Sequence, residues 1–150
     1  MTRRAVGFSL VELVMVITVL GILAVFVMPR VDTSPYRALE FHDQTVAALR
    51  YAQKTATSHR RMVCLEFTSS TVTLTIDHDK SGTCGGQALN LPGTNSNVVQ
   101  SSDPTLAVLT AATPADLNFN FNSDGSGADR NIVILGQTPI SVVGATGYVQ

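Results

Sequence analysis

The sequence predicts an α+β protein: a long N-terminal helix, a short amphipathic helix, and an antiparallel sheet built by the rest of the chain. Three observations lead there. From Phe8 to Met28 the only strongly polar residue is Glu12. Residues 36–61 space apolar side chains at helical intervals, and beyond them short β-rich runs with a period of two alternate with Gly, Asn, Asp and Pro. Helices grouped first and strands grouped after them favour a helix packed on one face of an antiparallel sheet.

The first element is "FSLVELVMVITVLGILAVFVM", 21 residues in which Ser9 and Thr18 are mild hydroxyls. As a helix it rises about 31 Å, against a hydrocarbon core of roughly 30 Å, so it is expected to span a bilayer. A secretory signal peptide has a shorter apolar core of about 7–15 residues and a small-residue cleavage site, whereas this run ends in Met28-Pro29-Arg30. A plain anchor leaves Glu12 unexplained, since a carboxylate at bilayer depth costs about 2.5–3.5 kcal/mol. Cutting the chain after Gly7 would give Phe8 a cationic α-amine one helical turn from Glu12, in the first turn where a negative charge suits the helix dipole.

A basic leader with Arg3 and Arg4, Gly7 at the cut, Phe8, then Glu12 as the fifth mature residue, with Gly21 and Pro29 further on, resembles the class III signal of type IV prepilins over Gly7–Arg30. The resemblance implies that a prepilin peptidase cuts between Gly7 and Phe8 and that the Phe8 amine is N-methylated. It also implies that Glu12 pairs with the N-terminus of a neighbouring subunit as the helix leaves the inner membrane for a filament.

The following "VDTSPY" is expected to break or bend the helix at Pro35. In the second helix Leu39, Val46, Leu49, Ala52 and Ala56 fall on one stripe, facing a sheet. Strands are expected at 61–67 and 71–77, joined by "TSS" as a hairpin, and at Asn97–Gln100, Leu106–Leu109, Leu117–Asn122, Asn131–Leu135 and Ile140–Val143. The organisation is therefore a leader at 1–7, a membrane and assembly helix with its break at 8–35, and a globular head at 36–150. With 150 residues there is room for one such domain.

The run "AALRYAQKTATSHRR" leading into "MVCLEF", with "LNFNFNSDG" and a closing "ISVVGATGYV", resembles the head of GspH pseudopilins and FimT minor pilins. "RRMVCLEF" and "FHDQTVAALRYAQK" are also similar to minor pilins of the mannose-sensitive haemagglutinin type. These resemblances imply a pilin-like fold and a structural minor subunit of a type IV pilus or type II secretion pseudopilus that helps initiate or cap the filament. Its partners would be the peptidase and methylase and other major and minor pilins or pseudopilins.

Positive charges tie across the span, Arg3 and Arg4 before it and Arg30 and Arg37 after it, so orientation is not decided by charge. The prepilin resemblance places the head in the periplasm, with a single pass through the inner membrane. In that oxidising compartment Cys64 and Cys84 are expected to form a disulfide. The alternative is a buried thiol and an unrelated loop thiol.

A net charge of −1 with 14% charged residues argues against binding nucleic acid by bulk electrostatics. "SHRR" at 58–61 is the basic cluster, at a helix end where cations suit the dipole. The chain closes on Tyr148 and Gln150, where DNA-uptake pilins of the FimT type carry arginines, so a DNA receptor or tip adhesin is the second reading. Asp77, Asp79, Ser81 and Gly82 mimic the opening of an EF-hand, but Ala88 stands where the bidentate glutamate belongs. Like residues 122–129, this loop reads as turn chemistry, and no metal or cofactor is expected. His42, His59 and His78 stand in separate segments without a framed nucleophile, so no enzyme is expected.

Overall fold

The computed structural model describes residues 7–27, 34–83, 86–105, 109 and 117–150. The chain divides into two compact units, Met1–Asp32 and Thr33–Gln150. The leader residues 1–6, and the Met28-Pro29-Arg30 end of the apolar run, lie outside the described residues.

In the first unit, α1 runs over Leu10–Val27, 18 residues. Its N-terminus is set at Ser9, whose carbonyl accepts the Leu13 N–H at 3.1 Å. The helix starts later than the apolar run and rises about 27 Å. Among the described residues no helix is long and apolar enough to cross a membrane; the end of the 21-residue run expected to span one lies outside them.

The second unit is α+β. Its helix α2, Ser34–His59, is 26 residues long, not short. Pro35 falls in its first turn, where a missing N–H leaves no bond unmade, so it helps start the second helix. The buried side of α2 is Ala38, Phe41, Thr45, Ala48, Leu49, Ala52, Thr55 and Ala56. Leu39, expected on that stripe, is exposed, and Val46 only packs against its margin. The stripe is offset because Phe41, not Leu39, supplies the large residue near its start. Thr45 is admitted because its hydroxyl donates to the Phe41 carbonyl at 2.7 Å, one turn back.

The helix ends on a left-handed residue. Arg60 has φ 51°, and the Arg61 N–H reaches back to the Ala56 carbonyl at 3.1 Å. This is the 6→1 bond of a Schellman-type end, with arginine where glycine is usual.

The larger sheet is antiparallel. β1 (Val63–Phe67) and β2 (Thr71–Ile76) form the expected hairpin, and Thr68 ties its turn by accepting the Thr71 N–H at 3.0 Å. β5 (Phe119–Phe121) pairs on the far side of β1, and β3 (Gln87–Ala88) and β4 (Val98–Gln100) pair with opposite ends of the outer edge of β2. The register stacks apolar rungs across the strands: Phe121, Val63 and Ile76; Phe119, Leu65 and Leu74; Val72 between Phe67 and Val99. Because strand side chains alternate faces, these rungs share one face, and α2 packs on it. Ala48, Ala52 and Ala56 keep that approach close.

A second antiparallel sheet, β6 (Arg130–Ile132), β7 (Ile140–Val143) and β8 (Tyr148–Val149), adds Ile132, Ile140, Val142 and Val149 to the same core. Its last strand touches α2, so the one helix serves both sheets. The two-residue strands β3 and β8 were not expected, being too short to show a period. Of the strand expected at Leu106–Leu109, residues 106–108 lie outside the described residues and Leu109 makes a single bridge to Ile134.

Candidate functional site

The residues singled out by sequence fall on two separate units. Gly7 and Phe8 precede α1, and both are exposed. Ser9 and Glu12 occupy the first and fourth positions of a capping box, yet neither side chain makes a hydrogen bond among the described residues. Glu12 stands in the first turn of α1, exposed. Around it, twelve large apolar side chains from Phe8 to Leu23 are between 44% and 78% exposed. No side of α1 is markedly more apolar than another. This is one carboxylate on an otherwise uncovered apolar rod.

Cys64 lies in the central strand β1, 2% exposed, and is disulfide-bonded. Cys84 lies outside the described residues.

The two oxygen-rich loops are turns closed by their own carboxylates. Asp77 is 3% exposed; one oxygen accepts the Ser81 N–H at 3.2 Å, the other the Gly82 N–H at 2.8 Å. Asp79 is held below the ordinary carboxylate range, chiefly by the Ser81 hydroxyl, and its Oδ1 also accepts the Ser81 N–H at 3.2 Å. Asp124 accepts the Ser126 hydroxyl at 2.7 Å and its N–H at 2.9 Å, which lower its pKa in that order. Among the described residues no group of three or more His, Cys, Asp or Glu side chains could hold a metal ion. Ala88, the twelfth position of the EF-hand-like stretch, is in β3.

The closing segment "GATGYV" is held against α2 and the 122–129 loop. The Arg50 guanidinium donates to the Val149 carbonyl at 3.2 Å, and Asp129 accepts the Gly144 N–H at 2.6 Å. Gly147 has φ 67°, and a side chain there would collide with the Gly125 carbonyl and Gln53.

Several hollows indent the head. One, about 570 Å³, lies between α2 at Gln44, Ala47 and Tyr51 and the segment carrying Leu91, Pro92 and Val98. A second, about 550 Å³, is lined by Arg60, Arg61, Lys80, Asp77, Asn122 and Ser123 among others. A third, about 330 Å³, is lined by His59, His78 and Arg61. The sequence separates His59 from His78 and Arg61 from Lys80, and the structure brings them together. The signal was available in the hairpin: "TSS" as its turn pairs Val63 with Ile76, which sets residues 61 and 78 side by side. His42 remains apart, its Nδ1 3.1 Å from Asp43.

The remaining cations of the head are mostly engaged elsewhere. Arg37 pairs with Asp103 at 2.9 Å, and Asp103 is held below its ordinary range first by the Thr105 hydroxyl and amide, then by Arg37. Arg130 lies 5.8 Å over the Phe119 ring.

Comparison with protein-family models, with curated proteins and with solved structures finds no match to this chain.

Proposed function

We propose that the chain is a structural subunit, a minor pilin or pseudopilin of a type IV pilus or type II secretion pseudopilus, with no catalytic role. The observation that carries this reading is α1, which exposes apolar side chains on every side and a single carboxylate in its first turn. A helix apolar all round needs an apolar surrounding, and among the described residues no element of its own unit supplies one. Lipid before assembly and neighbouring helices after it would meet that need. On this reading the run from Phe8 to Met28 is the inserted segment, the leader is cut between Gly7 and Phe8, and Phe8 is methylated. Glu12 then meets the amine of the next subunit, while the head, with a Cys64–Cys84 disulfide, stands in the periplasm and contributes to the start or the cap of the filament.

Intact-mass measurement of the protein expressed with a prepilin peptidase tests this directly. The expected chain begins at Phe8 and is heavier by one methyl group, and Gly7→Val retains the leader. A mature protein beginning within residues 24–35 would mean ordinary signal-peptide cleavage and end the pilin reading.

A further inference from the structure

The basic residues at the end of α2 meet those after β2 because the hairpin closes between them. The Asp77 N–H donates to the Met62 carbonyl at 2.9 Å, continuing the pairing one step beyond the strands. Arg60 and Lys80 both sit in left-handed backbone, φ 51° and 61°, and with Arg61 they line the 550 Å³ hollow. Three full positive charges share one concavity.

Their neighbours neutralise them only in part. Among the described residues Arg60, Arg61 and Lys80 take part in no ion pair, in contrast to Arg37. The one acid in the wall, Asp77, is buried with both carboxylate oxygens accepting from Ser81 and Gly82. Arg61 donates one long bond, 3.4 Å, to the Asp77 carbonyl, which leaves most of its five N–H donors free. The helix C-terminus contributes roughly half a negative charge, which together with the Asp77 carboxylate is still too little to offset three cations, and its Ala56 carbonyl already accepts the Arg61 N–H. Capping the helix would need one cation here, not three. The Ser123 hydroxyl adds a neutral donor to the wall.

We propose that this hollow binds a phosphate group, with the Arg60 and Arg61 guanidiniums and the Lys80 ammonium as its charge partners. Guanidiniums hold phosphate oxygens in pairs, and the ammonium acts as a point charge. The volume matches small-molecule sites, about 300–1,000 Å³, so there is room for the organic part of a phosphate ester, whether a soluble metabolite or a lipid headgroup. The inference stands apart from the filament reading and uses none of its residues.

The test follows backbone amide NMR shifts of the ¹⁵N-labelled full chain in a nonionic detergent at constant ionic strength. Inorganic phosphate and glycerol 3-phosphate probe the soluble source; micelles doped with phosphatidic acid probe the headgroup. Saturable shifts at Arg60, Arg61, Lys80 and Ser123 that chloride does not produce are expected from at least one source, and the arm that saturates names it. Lys80→Gln should weaken binding roughly tenfold or more, as for loss of a hydrogen bond to a charged group. Arg60→Gly should do the same while relaxing the left-handed backbone, so its loss of binding would come without a loss of melting temperature. Lys54→Gln, on α2 outside the hollow, should bind as the parent does. Absence of saturable shifts in every arm, or equal weakening by Lys54→Gln and Lys80→Gln, would overturn the proposal.

Discussion

At the scale of single residues, two positions carry a side chain that local rules alone do not explain. Arg60 occupies a left-handed conformation that costs an L-residue about 1–2 kcal/mol, more than the 0.3–1 kcal/mol or so that its charge gains at the helix end. Arg60→Gly should therefore raise stability by about 0.5 kcal/mol after glycine's entropic cost, and Arg60→Ala, which keeps the Cβ and loses the charge, should lower it. Thermal melts of the pair check this; equal losses would mean the helix does not end as described. Glu12 has two readings, an unmade capping box and an assembly carboxylate. Glutamine serves a capping box as well as glutamate does, but carries no charge for an amine. Glu12→Gln should therefore insert and be cleaved normally yet be recovered poorly with the other minor subunits, as Glu12→Leu should be. Recovery of Glu12→Gln at parental levels would return this residue to a purely local role.

At the scale of elements, the closing β7–β8 hairpin depends on close backbone approach. Gly147→Ala combines a left-handed penalty of about 1–2 kcal/mol with overpacking against Gly125 and Gln53 of about 1–3 kcal/mol. Gly136, also left-handed but with open space around it, should show the first term alone on change to alanine. Comparing the two denaturation midpoints isolates the packing term, and equal losses would argue that the hairpin does not lie on α2. The same elements show what sequence can and cannot disclose. The hairpin β1–β2 and strand β7 were legible because Val, Leu, Ile and Thr alternate over four residues or more. β8 was not, since Tyr148-Val149 has no period to read, and its pairing is fixed by the core that Val149 enters. The buried side of α2 was half legible: leucines and alanines marked it near Leu49, while Thr45 depends on a hydrogen bond that composition does not reveal. The cationic hollow was not legible residue by residue, because its members come from a helix end and a loop that only the hairpin register joins.

At the scale of the molecule, one helix and one covalent link tie the head together. With Cys64 central in the sheet and disulfide-bonded, a bridge to Cys84 would close a loop worth roughly 3 kcal/mol in chain entropy. The unreduced protein from an oxidising compartment should resist alkylation, and Cys84→Ser should melt lower by a corresponding margin. Two freely alkylated thiols in the native protein would contradict the link. The other unit poses a problem of a different kind. A rod equally apolar on all sides offers a neighbour the same face at every rotation, so shape and greasiness alone specify no heading and no register. Against twelve interchangeable side chains, the single Glu12 carboxylate is the group that breaks the rotational symmetry, and whatever reads that helix must read it there.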